Sequence, residues 1–275
     1  MNTMSVEKTM TTKLVDTHCH LDPGYFPEGA DDAIERARSA GVGAFVCIGV
    51  GGLEATQAAL ELAQRRRDVL ATCGIHPHEA GQATPELEAR LAELLDDERA
   101  VAVGEVGLDY HYKRSAPELQ REVFRRAVGL ARAKRKPLVV HTRSAKADTL
   151  EILTSEQARE VGGIIHCFSE DREFARSVLD LGFYLSFSGI VTFKSAEAIR
   201  DVVRFMPEDR LLVETDSPFL APVPLRGKKC EPAFVVHTAR CVASLRNLDF
   251  EQISALTTAN ACRQFGPMLA AGLAV

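Results

Sequence analysis

Histidines and carboxylates recur in this chain where short apolar runs end: His18 and His20 after LVDT, Glu105 after AVAVG, His141 after PLVV, His166 after GGII and Asp216 after RLLVET. Each run has the Val/Ile/Leu-rich character of a buried strand. A single histidine is most simply a hydrogen-bonded core residue. Independent core residues, however, would not keep taking the same end of successive strands. Four imidazoles and two carboxylates are the donor set that a pair of divalent cations needs.

In His18-Cys19-His20 the two-residue period of a strand sends both imidazoles to one face and the Cys19 thiol to the other. The same parity places Asp16 on the histidine face, as an acceptor that could orient a ring. Glu105 is a lone charge between apolar neighbours, costly to bury unless a cation, hydrogen bonds or a barrel Arg or Lys neutralises it. Its two oxygens could bridge two ions at about 3.5 to 4 Å, the separation used in two-metal phosphoryl chemistry. Such a site activates water near neutral pH, and Asp216 is a candidate acceptor for the proton of that water.

These side chains need a scaffold that gathers strand ends. Strand-like segments near 13–18, 43–49, 69–75, 100–105, 137–141, 162–166, 183–188 and 210–215 alternate with helical periodicity near 30–40, 54–67, 85–96, 116–136, 145–159, 171–181 and 195–206, and two further helices near 232–246 and 250–263 follow. The expected fold is a single (β/α)8 TIM barrel over residues 11–275, behind a flexible tail of residues 1–10, with an open doubly wound sheet as the competitor. In the barrel, strand C-termini form the catalytic face. Asp216, at the end of the eighth strand, then falls beside His18 and His20 on one ion, while His141 and His166 serve the second, with Glu105 shared.

The chain has 275 residues, 46% of them apolar, enough for one large core. Its net charge of −5 offers no global field for nucleic acid. The Arg65–Arg67 and Lys134–Lys136 runs close helices, where positive charge suits the macrodipole, on the face away from the site. Seven cysteines without a C-x-x-C pair read as reduced core residues of a cytoplasmic protein. No export signal, membrane span or obligate protein partner is expected, and oligomeric state is not legible.

The loops after the strands carry Lys113, Arg114, Arg143, Lys194, Arg226, Lys228 and Lys229. As a group they suit an anionic substrate, and Arg143 and Arg226 could each hold phosphate oxygens bidentately. Tyr110, Tyr112, Phe168 and Phe219 are candidates for base stacking. The rival reading on the same dinuclear barrel is a small-molecule lactonase or phosphotriesterase. Basic loops and the absence of tryptophan weigh against it.

The motifs DTHCHLD (16–22), GIHPHE (74–79), GEVGLDY (104–110), HTR (141–143), HCFS (166–169), ETDSPFLAP (214–222) and RGKKCEP (226–232) together resemble the TatD family of metal-dependent deoxyribonucleases, within the amidohydrolase-like barrels. The resemblance runs through nearly the whole chain. It implies metal-dependent hydrolysis of phosphodiester bonds in DNA, and possibly RNA, with His18, His20, Glu105 and Asp216 on one ion and Glu105, His141 and His166 on the other. It further implies that His76 contacts the scissile phosphate. The residues alone leave His76 open between ligand, phosphate contact and loop hydrogen bond. Zn, Mn, Mg or Co would suit the donors. Attack from the end of a single strand is expected, since a site sunk in a barrel mouth admits a frayed strand more readily than a duplex. Aminoacyl-tRNA ester cleavage is a further alternative. Two departures stand out: Glu170 where the family pattern has glycine, and Cys230 where it has asparagine. Both fall in loops and bear on substrate preference.

Overall fold

The computed structural model describes residues 13–274, so the tail expected at residues 1–10 lies outside the described residues. Eight parallel strands follow one another in chain order. They are β1 (Leu14–Cys19), β2 (Val42–Gly49), β3 (Val69–Cys73), β4 (Ala100–Asp109), β5 (Leu138–Arg143), β6 (Gly163–Ile165), β7 (Tyr184–Phe187) and β8 (Leu211–Val213). Between them run α1 (Ala30–Ser39), α2 (Leu53–Arg65), α3 (Pro85–Leu94), α4 (Pro117–Lys134), α5 (Lys146–Ser155), α6 (Arg172–Asp180) and α7 (Glu197–Phe205). After β8 come α8 (Val235–Arg246), α9 (Phe250–Phe265) and a short α10 (Pro267–Leu273) that the periodicity does not predict.

The sheet closes on itself just beyond the strands proper. Asp216 N–H donates to His18 O at 2.9 Å, His20 N–H donates to Ser217 O at 2.8 Å, and Cys19 and Ser217 form a parallel bridge. The Thr17 hydroxyl adds a bond to Val213 O at 3.0 Å. This closure removes the open doubly wound sheet, and the fold is a (β/α)8 barrel.

Alternation along the strands builds two apolar layers. Val15, Val46, Leu70, Val139, Ile164 and Leu212 face one another inside the barrel, where Phe265 of α9 and Leu269 of α10 join them. Their neighbours Leu14, Phe45, Leu138, Val140, Ile165 and Val213 look outward onto helix residues such as Ile34, Ala63, Phe124 and Val178. Each such side chain contributes about 1.5 to 3 kcal/mol when fully buried. Local signals agree with the ends of several helices. Asp171 accepts from Phe174 N–H at 2.9 Å to start α6, and Asp249 and Gln252 form a capping box on α9.

The strands β1 and β4 break alternation beside their ligand-type side chains. In β1 the register slips between Asp16 and Cys19. Val15 therefore belongs to the interior layer while Cys19 packs with Leu14 in the outer one. In β4 the slip falls between Gly104 and Val106, at Glu105. A bulge of this kind re-aims one side chain without ending the strand. It also lets β4 run on to Asp109, well past the 105 expected from the sequence.

Candidate metal centre

Glu105 is buried at the centre of a ring of imidazoles. Its Oε1 lies 2.7 Å from His166 Nε2, 3.0 Å from His141 Nδ1 and 3.3 Å from His76 Nε2, and its Oε2 lies 3.4 Å from His18 Nε2. Asp216 Oδ1 stands 3.5 Å from His20 Nε2 and 3.7 Å from His18 Nε2. His18 stacks on His166 with ring centroids 3.9 Å apart. The donor atoms form three mutually close groups: His18 with His20 and Asp216, His18 with Glu105 and His166, and His76 with Glu105 and His141. The sequence-selected donors His18, His20, Glu105, His141, His166 and Asp216 are thus brought together, along with His76.

Backbone geometry makes the approach possible. A Cβ on Gly104 would stand 2.6 Å from Val139 Cβ, so β4 reaches β5 there only as glycine. Gly107 has φ +132, and a Cβ there would meet His141 O at 2.0 Å. These two glycines flank Glu105 and let it meet His141 across the strand pair.

The donor set fits cations. His18 Nε2, which faces Glu105 and Asp216, is buried with no hydrogen-bond partner. A cation is the simplest partner for such a lone pair, since unsatisfied buried polar groups are costly. Burial holds the His18 imidazole below its ordinary pKa, whereas for His20, His141 and His166 the neighbouring carboxylates outweigh burial and raise theirs. Burial alone would raise Glu105, but His166, His76 and His141 outweigh it and hold the carboxyl well below the usual range. For Asp216, likewise, His20 and the other imidazoles overcome burial and lower its pKa.

Two supporting carboxylates went unrecognised in the sequence. Glu214 Oε1 lies 3.3 Å from His166 Nδ1 and accepts from Cys167 N–H at 2.7 Å. With Nδ1 held by Glu214, Nε2 is the nitrogen turned toward Glu105 and the donor cluster, the arrangement in which a carboxylate orients a ligating histidine. Asp109 Oδ2 contacts His78 Nε2 at 2.9 Å and lies 3.4 Å from His141 Nε2. Its Oδ1 accepts from the backbone N–H groups of His111 and Tyr112. Strand parity was the available signal: Glu214 is two residues beyond the inward Leu212, and Asp109 is in phase with Glu105. Asp16, by contrast, reaches no imidazole. The register slip in β1 overrides the parity argument, and Asp16 instead binds Thr215 N–H at 2.9 Å and the Thr215 hydroxyl at 2.6 Å. Burial pushes its carboxyl up to about 8.

His76 Nδ1 accepts from His78 N–H at 3.1 Å. The neutral ring then carries its proton on Nε2, the nitrogen that faces Glu105. Protonated Nε2 is a donor and lacks the lone pair a ligand needs.

The loop residues divide. The Arg143 guanidinium lies over the Tyr112 ring, 4.7 Å from its centroid, near His78. Arg226 sits over Phe193 at 4.4 Å, and no contact links it to the histidines. Phe219 and Tyr112 are exposed, whereas Phe168 is buried against Phe174 and Phe187 and offers no face to a base. Tyr110 gives its hydroxyl to Asp148 at 2.7 Å. Cys230 is fully buried, so that departure from the motif pattern does not reach the protein surface, while Glu170 is half-buried beside the start of α6. In the basic runs at the opposite face, Arg66 pairs with Asp31, Glu35 and Asp68, and Lys134 with Asp96.

Barrel and donor cluster together define a metal-dependent hydrolase with its site at the strand C-termini. The family model described as TatD related DNase matches residues 15–266, and the chain belongs to this TatD family. It is 44% identical over 256 residues to the uncharacterized metal-dependent hydrolase YcfH of Escherichia coli K12, covering 92% of this chain and 95% of that protein. It is 34% identical over 258 residues to the 3'-5' ssDNA/RNA exonuclease TatD of Erwinia tasmaniensis, covering 92% and 99%. Among solved structures, the crystal structure of YJJV, a TatD homolog from E. coli K12, superposes with a TM-score of 0.87 at 26% identity, covering 93% of this chain and 99% of that one. Among the described residues no helix is long and apolar enough to cross a membrane.

Proposed function

We propose that this protein hydrolyses phosphodiester bonds of single-stranded DNA from a chain end, with two divalent ions held around Glu105. The observation that carries the reading is the convergence of four imidazole nitrogens within 2.7 to 3.4 Å of the two Glu105 oxygens, at the mouth of a barrel. His18, His20 and Asp216 would hold one ion, His141 and His166 the other, and Glu105 would bridge them. Bound there, divalent ions supply Lewis acidity toward a phosphodiester oxygen and lower the pKa of water.

The remaining work falls to the chain. The fixed tautomer of His76 supports its assignment to the scissile phosphate, with Nε2–H donating to a non-bridging oxygen. Arg143, held over Tyr112, would neutralise a phosphate on the same side. Asp216, at the rim, accepts the proton of the attacking water as a P–O bond breaks and the leaving oxygen takes up a proton from solvent. Arg226, tied to Phe193, is the weaker of the two arginine candidates. The exonuclease named among the relatives supports a single-stranded substrate.

Glu105→Gln should lose bound metal and oligonucleotide hydrolysis together while keeping its circular dichroism. Activity that survives in EDTA would end the proposal. Ends labelled 5′ and 3′ give polarity, and metal analysis gives ion identity. A panel containing a lactone, a neutral phosphotriester and an aminoacyl-tRNA tests the rival hydrolases.

A further inference from the structure

The exposed large apolar side chains among the described residues are Tyr25, Tyr112, Leu119, Phe219 and Val223. All three aromatics in that set stand beside histidines: Tyr25 and Phe219 beside His20 of the donor set, and Tyr112 beside His78, whose ring centroid lies 4.3 Å from that of His76. Tyr25 and Phe219 have ring centroids 6.3 and 6.2 Å from His20, and Tyr112 is 5.6 Å from His78. Apolar rings left 39, 52 and 46% exposed for Tyr25, Tyr112 and Phe219, and gathered at one opening, mark a binding surface rather than scattered exposure.

Two of the rings, Phe219 and Tyr112, are tied to residues of the site they border. Phe219 N–H donates to Asp216 O at 2.9 Å, and Tyr112 N–H donates to Asp109 Oδ1 at 2.7 Å. Tyr25 follows a turn closed on Asp22 O and precedes Phe26, which is buried, while Lys229 donates to Tyr25 O and lies over the Phe26 ring. Tyr25 and Phe219 meet edge to face, centroids 5.5 Å apart at 77°. Tyr112 is backed by the guanidinium groups of Arg143 and Arg114. The two groups stand across the mouth from each other. Phe219 follows β8 and Tyr25 follows β1, whereas Tyr112 follows β4, four strands from β8 in a ring of eight.

We infer that Tyr25 with Phe219, and Tyr112 with Arg143, are two base-stacking platforms on opposite sides of the scissile phosphate, so that the substrate is a strand with an unpaired base on each flank. This deepens the nuclease reading above and rests on it. Ring faces accept any base, so the platforms favour unpaired over paired nucleotides without selecting sequence. A phosphate between two stacked bases would lie over the histidine cluster, with Arg143 beside Tyr112 on one flank and Lys229 beside Tyr25 on the other.

The test crosses variants with abasic substrates. Oligonucleotides carrying a tetrahydrofuran abasic unit on the 5′ or the 3′ flank of the cleaved bond are compared with the fully based strand. Tyr25→Ala, Phe219→Ala and Tyr112→Ala should each lower kcat/KM on the based strand by about 5- to 100-fold. That loss should fall below about twofold when the base served by that platform is already missing, with Tyr25 and Phe219 answering to one flank and Tyr112 to the other. Tyr25→Phe and Tyr112→Phe should keep the parental value, because the ring and not the hydroxyl stacks. Equal losses on based and abasic strands, or all three residues answering to one flank, would overturn the platforms while leaving the nuclease intact. A parent protein that cuts no oligonucleotide at all would remove the nuclease reading and the platforms with it.

Discussion

Glu105 can sit among four histidines because each side supplies what the other lacks: the carboxylate offers charge, and the imidazoles offer lone pairs or protons according to their outer partners. Glu214 is the partner that sets His166, with Oε1 at 3.3 Å from Nδ1. Glu214→Gln should weaken metal binding about 10- to 100-fold, read by titration against a competing chelator, with folding largely retained. Unchanged affinity would show that Glu214 only caps the Cys167 N–H. The cysteines give a second check at this scale. Burial pushes Cys47 and Cys73 up to about 12, so neither should react with an aromatic disulfide reagent at pH 8 until guanidinium unfolds the chain. The sign for stability follows. Unfolded thiols ionise from about pH 8.5 while the buried ones stay protonated, so the unfolding free energy should fall as pH rises through that value. Denaturant midpoints at pH 7 and 9.5 measure it.

At the scale of elements, strand ends and helix periods were legible because apolar alternation is a local pattern. The eight runs read from the sequence match β1 to β8 closely, and the nine helical segments match α1 to α9. What escaped were the register slips beside Asp16 and Glu105. A bulge is fixed by which partner strand a residue meets, here β2 for Asp16 and β5 for Glu105, and that partner lies elsewhere in the chain. Treating β4 as ending at Glu105 hid Asp109, and strict parity in β1 gave Asp16 a role that belongs to no residue there. Gly107 carries a testable share of the β4 geometry. Gly107→Ala places a Cβ 2.0 Å from His141 O at a φ of +132 and should cost about 2 kcal/mol or more, seen as a lower melting temperature, with metal affinity falling as β5 shifts. A neutral substitution would mean that β4 and β5 can part there without consequence.

For the whole molecule, closure joins the first strand to the last and so couples folding to the site: Asp216 N–H donates to His18 O, and both side chains belong to the donor cluster. Ions bound to the folded chain alone would stabilise it by about 2.7 kcal/mol at a hundredfold excess over Kd. EDTA should therefore lower the melting temperature by about 5 °C, and added divalent ion should restore it in a concentration-dependent way. A melting curve indifferent to both would deny the cluster its ions. The sequence by itself determined the repeating strand and helix pattern, the barrel, and the recurrence of histidines and carboxylates at strand ends, because each rests on neighbours within a few residues. Only the tertiary structure decided that Glu105 turns inward at a bulge, that Glu214 and Asp109 stand behind the imidazoles, that His76 is held with its proton toward the site, that Phe168 is core, and that Tyr25 faces Phe219 at the mouth. Those facts depend on distances between residues far apart in the chain, which closing the barrel alone sets.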